Sequence, residues 1–289
     1  MVALQLDRPD QDAPAIARDA ARIPALRHDE AAPLAAAELG RFLALLDTLD
    51  AEDWAKPTAC PRWDVRQVVA HVTGAAAGYA SWAEFRHQWS PRAQRPYRRA
   101  GLPMLDALNQ VQVDDRARAT PAALIAELRA AGPRAIATRR RLPAPVRAIR
   151  LPLPLIGVAR VDYLTDLIYP RDMWMHRLDV CRATGRAMAQ DAAHDGRIVA
   201  LVVRDLARDL ARQRGAATVV YALTGPAGGT WRVGRDPRPA ATIRMDTLAF
   251  NLLASGRLTV AEARALPTTD VAGDEAAAAR ALARTAVVY

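Results

Sequence analysis

The chain has 289 residues, of which 51% are hydrophobic and 25% charged, a balance that is typical of globular proteins and excludes a disordered one. Its length suffices for two domains, and it lacks the run of about eighteen apolar residues that a membrane helix needs. The net charge of +9 would favour a nucleic-acid partner, but Lys56 is the only lysine, and a chain this rich in arginine and alanine is typical of a GC-rich genome. We therefore expect neither a nucleic-acid nor a membrane partner.

The cysteine content and the N-terminal residues restrict the cellular location and the kind of metal site. Residues 1–22 lack the charged start, apolar middle and cleavage site of a secretory signal, so we expect a cytoplasmic protein. Cys60 and Cys181 are the only cysteines, which excludes a disulfide framework and a cysteine-based zinc finger. Any metal would have to be bound by histidine and carboxylate side chains.

Helical periodicity dominates the first half of the chain. Residues 30–49 repeat apolar side chains at three- and four-residue steps, as an amphipathic helix does. A second helix is expected to begin after Asp64, whose carboxylate can cap free backbone amides, and to extend as far as Phe85. Between Ser90 and Pro103 the chain is rich in proline, arginine and glycine, which predicts a loop.

Two further helices complete the predicted helical region. The first covers residues 121–140, with a potential break at Gly132-Pro133. The second covers about 160–185, where Pro170 should kink the helix or begin a new one. Four helices joined by such loops predict an up-and-down bundle.

The last hundred residues mix strand and helix patterns. A Gly/Pro turn at 225–229 separates two apolar runs, as in a hairpin, and residues 239–246 predict a further strand. Helices are predicted at 191–214, 246–255, 259–265 and 274–284. The sequence therefore predicts an α+β two-domain protein, with the helical bundle at 30–188 and a smaller α+β domain at 190–289.

Three side chains are candidates for a metal site. His71 lies at the edge of a valine stripe on the second helix, where a lone histidine is more often a hydrogen-bonded core residue. Asp172 and His176 are four residues apart, so on a helix they share one face at about 5 to 6 Å and suit two ligands of one ion. Asp179 continues that stripe and would orient the imidazole of His176. Two alternatives stay open: Asp172 stabilises the positive end of a helix, or it forms a surface ion pair with His176.

Three segments resemble the mycothiol-dependent maleylpyruvate isomerase family. TACPRWDVRQVVAH at 58–71 is similar to the N-terminal signature of the family, and DMWMHRLDVCRATGR at 172–186 is similar to its second signature. ATIRMD, LLASGR and VAGD, between residues 241 and 274, resemble its C-terminal domain, which is related to sterol carrier proteins. The resemblance covers most of the chain and implies a DinB-like four-helix bundle followed by a sterol-carrier-like domain.

The resemblance also implies a ligand set. In that family a histidine on the second helix, and an acidic residue with a histidine four positions later, bind zinc; these positions fall on His71, Asp172 and His176. The better characterised members carry glutamate where this chain has Asp172, and the aspartate side chain is one methylene shorter. The metal site would therefore be tighter or differently shaped, or Asp172 would bind the metal through a water molecule. Three protein ligands leave a fourth zinc position open, which is typical of catalytic sites. A thiol bound there is stabilised as the thiolate.

The activity implied is that of a thiol enzyme. In the resembled isomerase, mycothiol adds to a conjugated double bond, permits rotation and is eliminated; other relatives stop after addition or displacement. We predict a zinc-dependent isomerase or thiol S-transferase, monomeric or homodimeric, that acts on a small electrophilic metabolite with mycothiol or a similar thiol. The alternative is a non-catalytic carrier of an apolar small molecule or partner, because Asp172 departs from the family pattern and no second general acid or base is obvious.

Arginines are the remaining candidates for binding residues. Arg182, Arg232 and Arg244 are predicted to bind a carboxylate or the polar body of the thiol cofactor, because arginine recognises such groups through two parallel hydrogen bonds. Residues 139–141, the one compact basic run, are expected to be a solvated helix end rather than a phosphate-binding patch.

Overall fold

The computed structural model describes residues 17–153, 157–213 and 215–289. The described residues form two compact units: one contains 26–188, and the other contains 17–25 together with 189–289. The division falls beside the boundary predicted near residue 189, and the second unit also takes in residues ahead of the bundle. The predicted α+β two-domain fold class is confirmed.

Helices and strands are numbered in chain order across the described residues. The helices are α1 (His28–Leu46), α2 (Val65–Ala80), α3 (Trp82–Gln88), α4 (Pro91–Arg99), α5 (Met104–Asp114), α6 (Pro121–Arg140), α7 (Ala144–Ala148), α8 (Tyr169–Thr184), α9 (Asp195–Ala211), α10 (Thr247–Ala254), α11 (Val260–Ala265) and α12 (Glu275–Ala283). The strands are β1 (Arg18–Asp19), β2 (Arg150–Leu153), β3 (Gly157–Arg160), β4 (Val219–Thr224), β5 (Gly229–Val233), β6 (Ala241–Asp246) and β7 (Asp270–Gly273). None of the helices in the described residues combines the length and the apolar character that a membrane span requires.

The helical unit is built around four helices, α1, α2, α6 and α8, which pack against one another. They correspond to the four helices that the periodicity predicts. Their shared core contains the apolar stripes of α1, α2 and α6, which removes the largest apolar surfaces from water. Members of that core that are at most 1% exposed include Phe42, Leu46, Val65, Val68, Val69, Leu124 and Leu128. The packed valine stripe fixes which face of α2 points inward, and so sets the direction of His71.

The start of α2 is fixed by a capping box. The Asp64 carboxylate accepts a hydrogen bond from the backbone N–H of Gln67 at 2.8 Å, and the Gln67 side chain accepts one from the backbone N–H of Asp64 at 3.0 Å. Each satisfies a donor that the first helical turn would otherwise leave open.

We expect Asp64→Ala to lower the free energy of unfolding by about 1 kcal/mol, because the amide of Gln67 loses its acceptor. Urea denaturation followed by circular dichroism measures the change. Asp64→Asn keeps a capping oxygen and serves as the control. Equal stability of the alanine variant and the unmodified protein would contradict this role of Asp64.

The predicted loop between Ser90 and Pro103 is wrong over most of its length, because α4 forms there. The Ser90 hydroxyl accepts from the backbone N–H of Ala93 at 3.1 Å, and Pro91 stands in the first turn, where its missing N–H has no cost. The following helix, α5, was not predicted. It packs against α2 and contributes a side chain to the candidate site.

The potential break at Gly132-Pro133 does not occur, and α6 is continuous. A Cβ atom at Gly132 would lie 2.5 Å from Leu39 Cδ2, so the absence of a side chain lets α1 approach α6 closely. We infer that this packing stabilises the helix across the proline, which lacks one backbone donor.

The prediction that Pro170 begins a new helix is wrong, because the helical backbone is continuous from residue 161 through Ile168 into α8. A π-helical turn, Tyr163–Ile168, leads directly into α8, and Pro170 occupies the first turn of α8. Gly185 ends the helix in the left-handed conformation at φ +72°, as an αL cap does. Asp172 and His176 therefore share the first half of α8.

The second unit contains a five-stranded sheet in the order β1-β5-β4-β6-β7. The predicted hairpin is confirmed as the antiparallel pair β4 and β5, and the predicted strand at 239–246 is confirmed as β6, which runs parallel to β4. Helices α9, α10 and α12 pack against this sheet. The short edge strands β1 and β7 were not predicted.

Candidate metal centre

The three predicted ligands converge at one place in the helical unit. His71 comes from the middle of α2, whereas Asp172 and His176 come from successive turns of α8. His71 Nε2 lies 3.4 Å from Asp172 Oδ2, and His176 Nε2 lies 3.4 Å from Asp172 Oδ1. One donor atom from each residue lies within 4.8 Å of the others. The carboxylate therefore faces one imidazole with each of its oxygens.

The spacing of these atoms is that of ligands sharing an ion. Two atoms bound to a tetrahedral zinc at about 2.0 to 2.2 Å stand about 3.4 Å apart. A hydrogen bond between an imidazole and a carboxylate is shorter, at about 2.7 to 2.9 Å. Both distances from Asp172 equal 3.4 Å. Both contacts are therefore longer than an ordinary imidazole–carboxylate hydrogen bond and equal the separation of two ligands of one zinc ion.

Burial and charge prepare the site for a cation. The side chains of His71 and His176 are 5% and 6% exposed, and that of Asp172 is 28% exposed. Burial alone would raise the pKa of the Asp172 carboxyl, but the two imidazoles hold this pKa well below its usual value. Burial alone would lower the pKa of His176, but Asp172 and Asp179 raise it well above its usual value. Asp172 is therefore ionised, and His176 must release a proton when it binds a metal.

The outer nitrogen of His71 is held by a chain of two buried glutamines, which we call the glutamine relay (Gln112 and Gln88). His71 Nδ1 lies 2.8 Å from Gln112 Oε1, and Gln112 Nε2 donates to Gln88 Oε1 at 2.9 Å. Gln88 Nε2 in turn donates to the backbone oxygen of Gly74 and to the Glu84 carboxylate, both at 2.9 Å.

The relay has only one consistent direction. The carbonyl of Gly74 and the carboxylate of Glu84 can only accept, so Gln88 must present its nitrogen to them and its oxygen to Gln112. Gln112 then presents its own oxygen to His71. His71 must therefore carry its proton on Nδ1, which leaves the lone pair of Nε2 directed towards Asp172 and available to a metal.

Two glycines of α2 make room for the relay. A Cβ atom at Gly74 would lie 2.5 Å from Gln112 Cβ, and one at Gly78 would lie 2.9 Å from Gln88 Oε1. Glycine inside a helix costs about 1 kcal/mol relative to alanine. Here the cost is offset by the close approach of α5 and α3, which brings both glutamines to the site.

The outer nitrogen of His176 is held by Asp179, as the sequence predicts. His176 Nδ1 donates to Asp179 Oδ2 at 3.0 Å, and Asp179 is completely buried. The Cys60 thiol lies 3.6 Å from the same oxygen. The carboxylate directs the proton of His176 to Nδ1 and leaves Nε2 for the site that faces Asp172.

Cys60, His176 and Asp179 form a second group of potential donors, also within 4.8 Å of one another. It uses the opposite nitrogen of His176, so the two groups compete for that ring. In the second group the Asp179 oxygen already accepts the proton of His176 Nδ1. The first group is therefore the stronger candidate for a metal site, and the second group supports the orientation of His176.

The two cysteines differ in accessibility. Cys60 is partly exposed, whereas Cys181 on α8 is buried, and burial raises the pKa of the Cys181 thiol to about 11. At pH 8 roughly one thousandth of Cys181 is the reactive thiolate.

We expect iodoacetamide to alkylate Cys60 at pH 8 in the folded protein and to leave Cys181 unmodified over the same period. Peptide mass spectrometry gives the extent of labelling at each residue. In denaturant both cysteines should react at similar rates, which controls for digestion and detection. Faster labelling of Cys181 in the folded protein would contradict its burial.

An aromatic ring covers one side of the imidazole pair. The ring of Trp63 stacks on that of His71 with centroids 5.0 Å apart, and it lies 6.4 Å from His176. Trp63 Nε1 donates to Gln110 Oε1 at 3.2 Å, which holds the ring in place. The packed indole limits the access of water to the site from this side.

A cavity opens beside Asp172 between α1, α2, α6 and α8. Its walls are mostly apolar. Arg139 also lines it and is only 7% exposed. The prediction of a solvated basic run is therefore wrong for Arg139, although Arg140 and Arg141 are exposed. Nothing in the sequence of residues 139–141 indicates that the side chain of Arg139 is buried.

The three arginines predicted to bind the thiol cofactor are divided between the two units. Arg182 lies on α8, about 9 Å along the helix axis from His176. Arg232 on β5 donates to Asp19 at 2.9 Å, which occupies part of its guanidinium, and Arg244 lies on β6. Their role in binding a cofactor stays a prediction.

Comparison with known proteins supports the resemblance seen in the sequence. The family described as mycothiol maleylpyruvate isomerase N-terminal domain matches residues 35–181, just over half of the chain. A crystal structure of the mycothiol-dependent maleylpyruvate isomerase is similar, with a TM-score of 0.53 and 16% identity, over 86% of this chain and 95% of that one.

A second crystal structure, of a histidine-to-alanine variant of that enzyme, gives a TM-score of 0.53 and 14% identity over 81% of this chain and 91% of that one. At these identities the likeness shows a shared fold. No curated protein sequence gives a significant match. The predicted family resemblance is nevertheless confirmed, and the chain belongs to the mycothiol maleylpyruvate isomerase N-terminal domain family.

Proposed function

We propose that the protein is a zinc-dependent thiol enzyme, an isomerase or thiol S-transferase, which acts on a small electrophilic metabolite with mycothiol or a similar thiol. The observation that carries the proposal is the 3.4 Å spacing of Asp172 from both His71 and His176. Membership of the isomerase family supports the choice of a thiol as cosubstrate.

The donor set supports zinc as the metal. Two imidazole nitrogens and one carboxylate oxygen are typical ligands of a catalytic zinc, and other divalent first-row metals accept the same set. Each oxygen of Asp172 already faces one histidine at ligand spacing, which supports direct binding by the shorter side chain. The departure from glutamate at this position is therefore compatible with metal binding.

The chain's own residues would orient and shield the reacting groups. When bound, zinc supplies positive charge that keeps a thiol deprotonated at neutral pH. The glutamine relay and Asp179 keep the proton of each imidazole on Nδ1, away from the metal side. Trp63 and the apolar walls of the cavity exclude water, which strengthens electrostatic interactions inside the site.

The proposed reaction balances without any redox partner. The thiolate sulfur forms a bond to an electrophilic carbon while the π electrons of the conjugated double bond move onto the carbonyl oxygen. Rotation about the resulting single bond is followed by cleavage of the carbon–sulfur bond, which restores the double bond and releases the thiol. In a transferase the adduct would instead take up a proton on carbon and leave with the sulfur attached.

Elemental analysis of the purified protein after addition of zinc, combined with a thiol-adduct screen against conjugated acids, tests the proposal. We expect an equimolar amount of zinc, together with isomers or thiol adducts that form only in its presence. A protein that stays free of metal would instead be a non-catalytic carrier. A zinc protein that yields neither isomer nor adduct would contradict the thiol chemistry.

A further inference from the structure

Arg139 is a buried cation without an anionic partner. It lies in the last turn of α6, and the centre of its guanidinium stands 4.9 Å from the ring centroid of Tyr169 and 5.4 Å from that of Tyr79. Among the residues that the structure describes, none forms an ion pair with this guanidinium or accepts a hydrogen bond from it. Its contacts are the faces of the two tyrosine rings.

Two other buried arginines of the helical unit, Arg177 and Arg116, are paired with carboxylates. Arg177 donates to both carboxylate oxygens of Glu38, at 2.7 and 3.1 Å. Arg116 pairs with Glu127 and Glu84 at 2.6 and 3.2 Å, and these carboxylates raise its pKa although burial opposes them. The pKa of Arg139 is instead lowered, because burial dominates. The contrast marks Arg139 as incompletely compensated.

The groups around Arg139 do not supply the missing anion. Burial raises the pKa of both Tyr79 and Tyr169, so neither is a phenolate at neutral pH. Asp166 is the carboxylate that raises the pKa of Arg139, but it is engaged with His28 Nδ1 at 2.8 Å. Cation–π contacts contribute about 2 kcal/mol of stabilisation, whereas the burial of an unpaired charge costs several kcal/mol. The guanidinium therefore has capacity for an external anion.

The guanidinium lines the same cavity as the candidate metal ligand Asp172. Tyr169 lies between the two: its ring contacts Arg139, and it precedes Asp172 by one turn of α8. The remaining walls are apolar and include Val72, Ala75 and Ile136. The cavity is thus lined by one cation, Arg139, by the carboxylate of Asp172 and otherwise mostly by apolar side chains.

We propose that Arg139 is the anion receptor of this cavity and binds the carboxylate of a small, flat organic acid whose electrophilic carbons lie towards His71, Asp172 and His176. The fork of guanidinium donors matches a carboxylate, and the two aromatic faces favour a planar group. The orientation of the acid relative to the metal site rests on the proposed function, but binding of the carboxylate does not.

Binding of crotonate, a conjugated monocarboxylate, to the purified full-length protein tests this site. Saturation-transfer NMR detects weak binding and needs no activity, and methyl crotonate serves as the neutral control. We expect crotonate, but not its ester, to bind. Arg139→Met should weaken binding at least tenfold, and Arg139→Lys, which keeps the charge but loses the fork, should weaken it less. Arg141→Met, at an exposed position on the same helix end, should have no effect.

A stability measurement separates binding from a structural role. If Arg139 is retained for an external anion, Arg139→Met should unfold at a urea concentration equal to or higher than that of the unmodified protein, because an uncompensated buried cation is removed.

Unchanged crotonate binding in this variant, equal binding of the ester, or equally effective competition by inorganic phosphate would overturn the proposal. Crotonate binding by a protein that takes up no zinc would contradict the proposed function alone, whereas zinc uptake without crotonate binding would contradict Arg139 alone.

Discussion

His71→Ala and His176→Ala should each abolish equimolar zinc binding, whereas Cys60→Ser should leave it unchanged. In the proposed site each histidine would provide one of three protein ligands, and the loss of one would leave only two. Cys60 belongs only to the second donor group, which uses the opposite nitrogen of His176. The three variants together therefore identify which face of His176 binds the metal.

The measurement is the zinc content of each variant after dialysis against a weak chelator, determined by elemental analysis. His87→Ala is a matched control, because His87 is a histidine that is 49% exposed and pairs with Asp115 at the surface. Removal of His71 also leaves Gln112 without its donor, which costs about 1 to 3 kcal/mol. Circular dichroism must therefore verify that each variant is folded at the temperature of dialysis.

Two results would change the assignment. Full zinc occupancy in both histidine variants would show that His71, Asp172 and His176 are not the ligands. Loss of zinc in Cys60→Ser and His176→Ala, with retention in His71→Ala, would move the ion to the group of Cys60, His176 and Asp179. Either outcome leaves the fold assignment intact, because that assignment rests on the family match and the similar crystal structures and not on the metal.

The main helices were predictable because each carries its own local signals. Asp64 announces the start of α2, a valine stripe defines its buried face, and Gly185 ends α8. The pairing of Asp172 with His176 also follows from helical spacing. The approach of His71 to that pair is a long-range contact between α2 and α8, which no local pattern encodes. It entered the sequence prediction only through resemblance to a family.

The supporting residues were missed for a physical reason. Gln112 and Gln88 are neutral, and nothing in their spacing distinguishes a buried glutamine from a solvated one. Helix α5, which carries Gln112, begins after Pro103 without a side-chain cap. The composition of the basic run that contains Arg139 predicts a solvent-exposed side chain. Arg139 is nevertheless buried, because its guanidinium packs against the rings of Tyr79 from α2 and Tyr169 from α8. Tertiary packing decides the role of all three side chains.

The glutamine relay leads to the second large expected effect. Gln112→Leu should weaken zinc binding by about 10- to 100-fold, which is the range found when the outer partner of a metal-bound histidine is removed. The variant leaves His71 Nδ1 without an acceptor and Gln88 Oε1 without a donor. The imidazole then loses both its orientation and its preference for a proton on Nδ1, so a smaller fraction of molecules presents Nε2 to the metal.

Gln94→Leu is the matched control. Gln94 is 6% exposed, close to the 3% of Gln112, and its side chain donates to the backbone oxygen of Gln88 at 2.9 Å. It therefore belongs to the same buried polar region without standing in the line of side chains that ends at His71. We expect Gln94→Leu to lower the unfolding free energy somewhat less than Gln112→Leu, because it leaves one buried partner unsatisfied whereas Gln112→Leu leaves two. Zinc affinity should change only in Gln112→Leu.

A spectroscopic signature distinguishes a relay from a loss of general stability. In the zinc-loaded protein the proton on His71 Nδ1 is held by Gln112 Oε1 and shielded from water, since His71 is 4% exposed and Gln112 is 3% exposed. It should give an observable imidazole resonance in a proton–nitrogen correlation spectrum, which persists in Gln94→Leu and is lost or broadened in Gln112→Leu. If both variants lower zinc affinity equally and keep this resonance, the glutamines only fill space, and His71 is oriented by the packing of α2 alone.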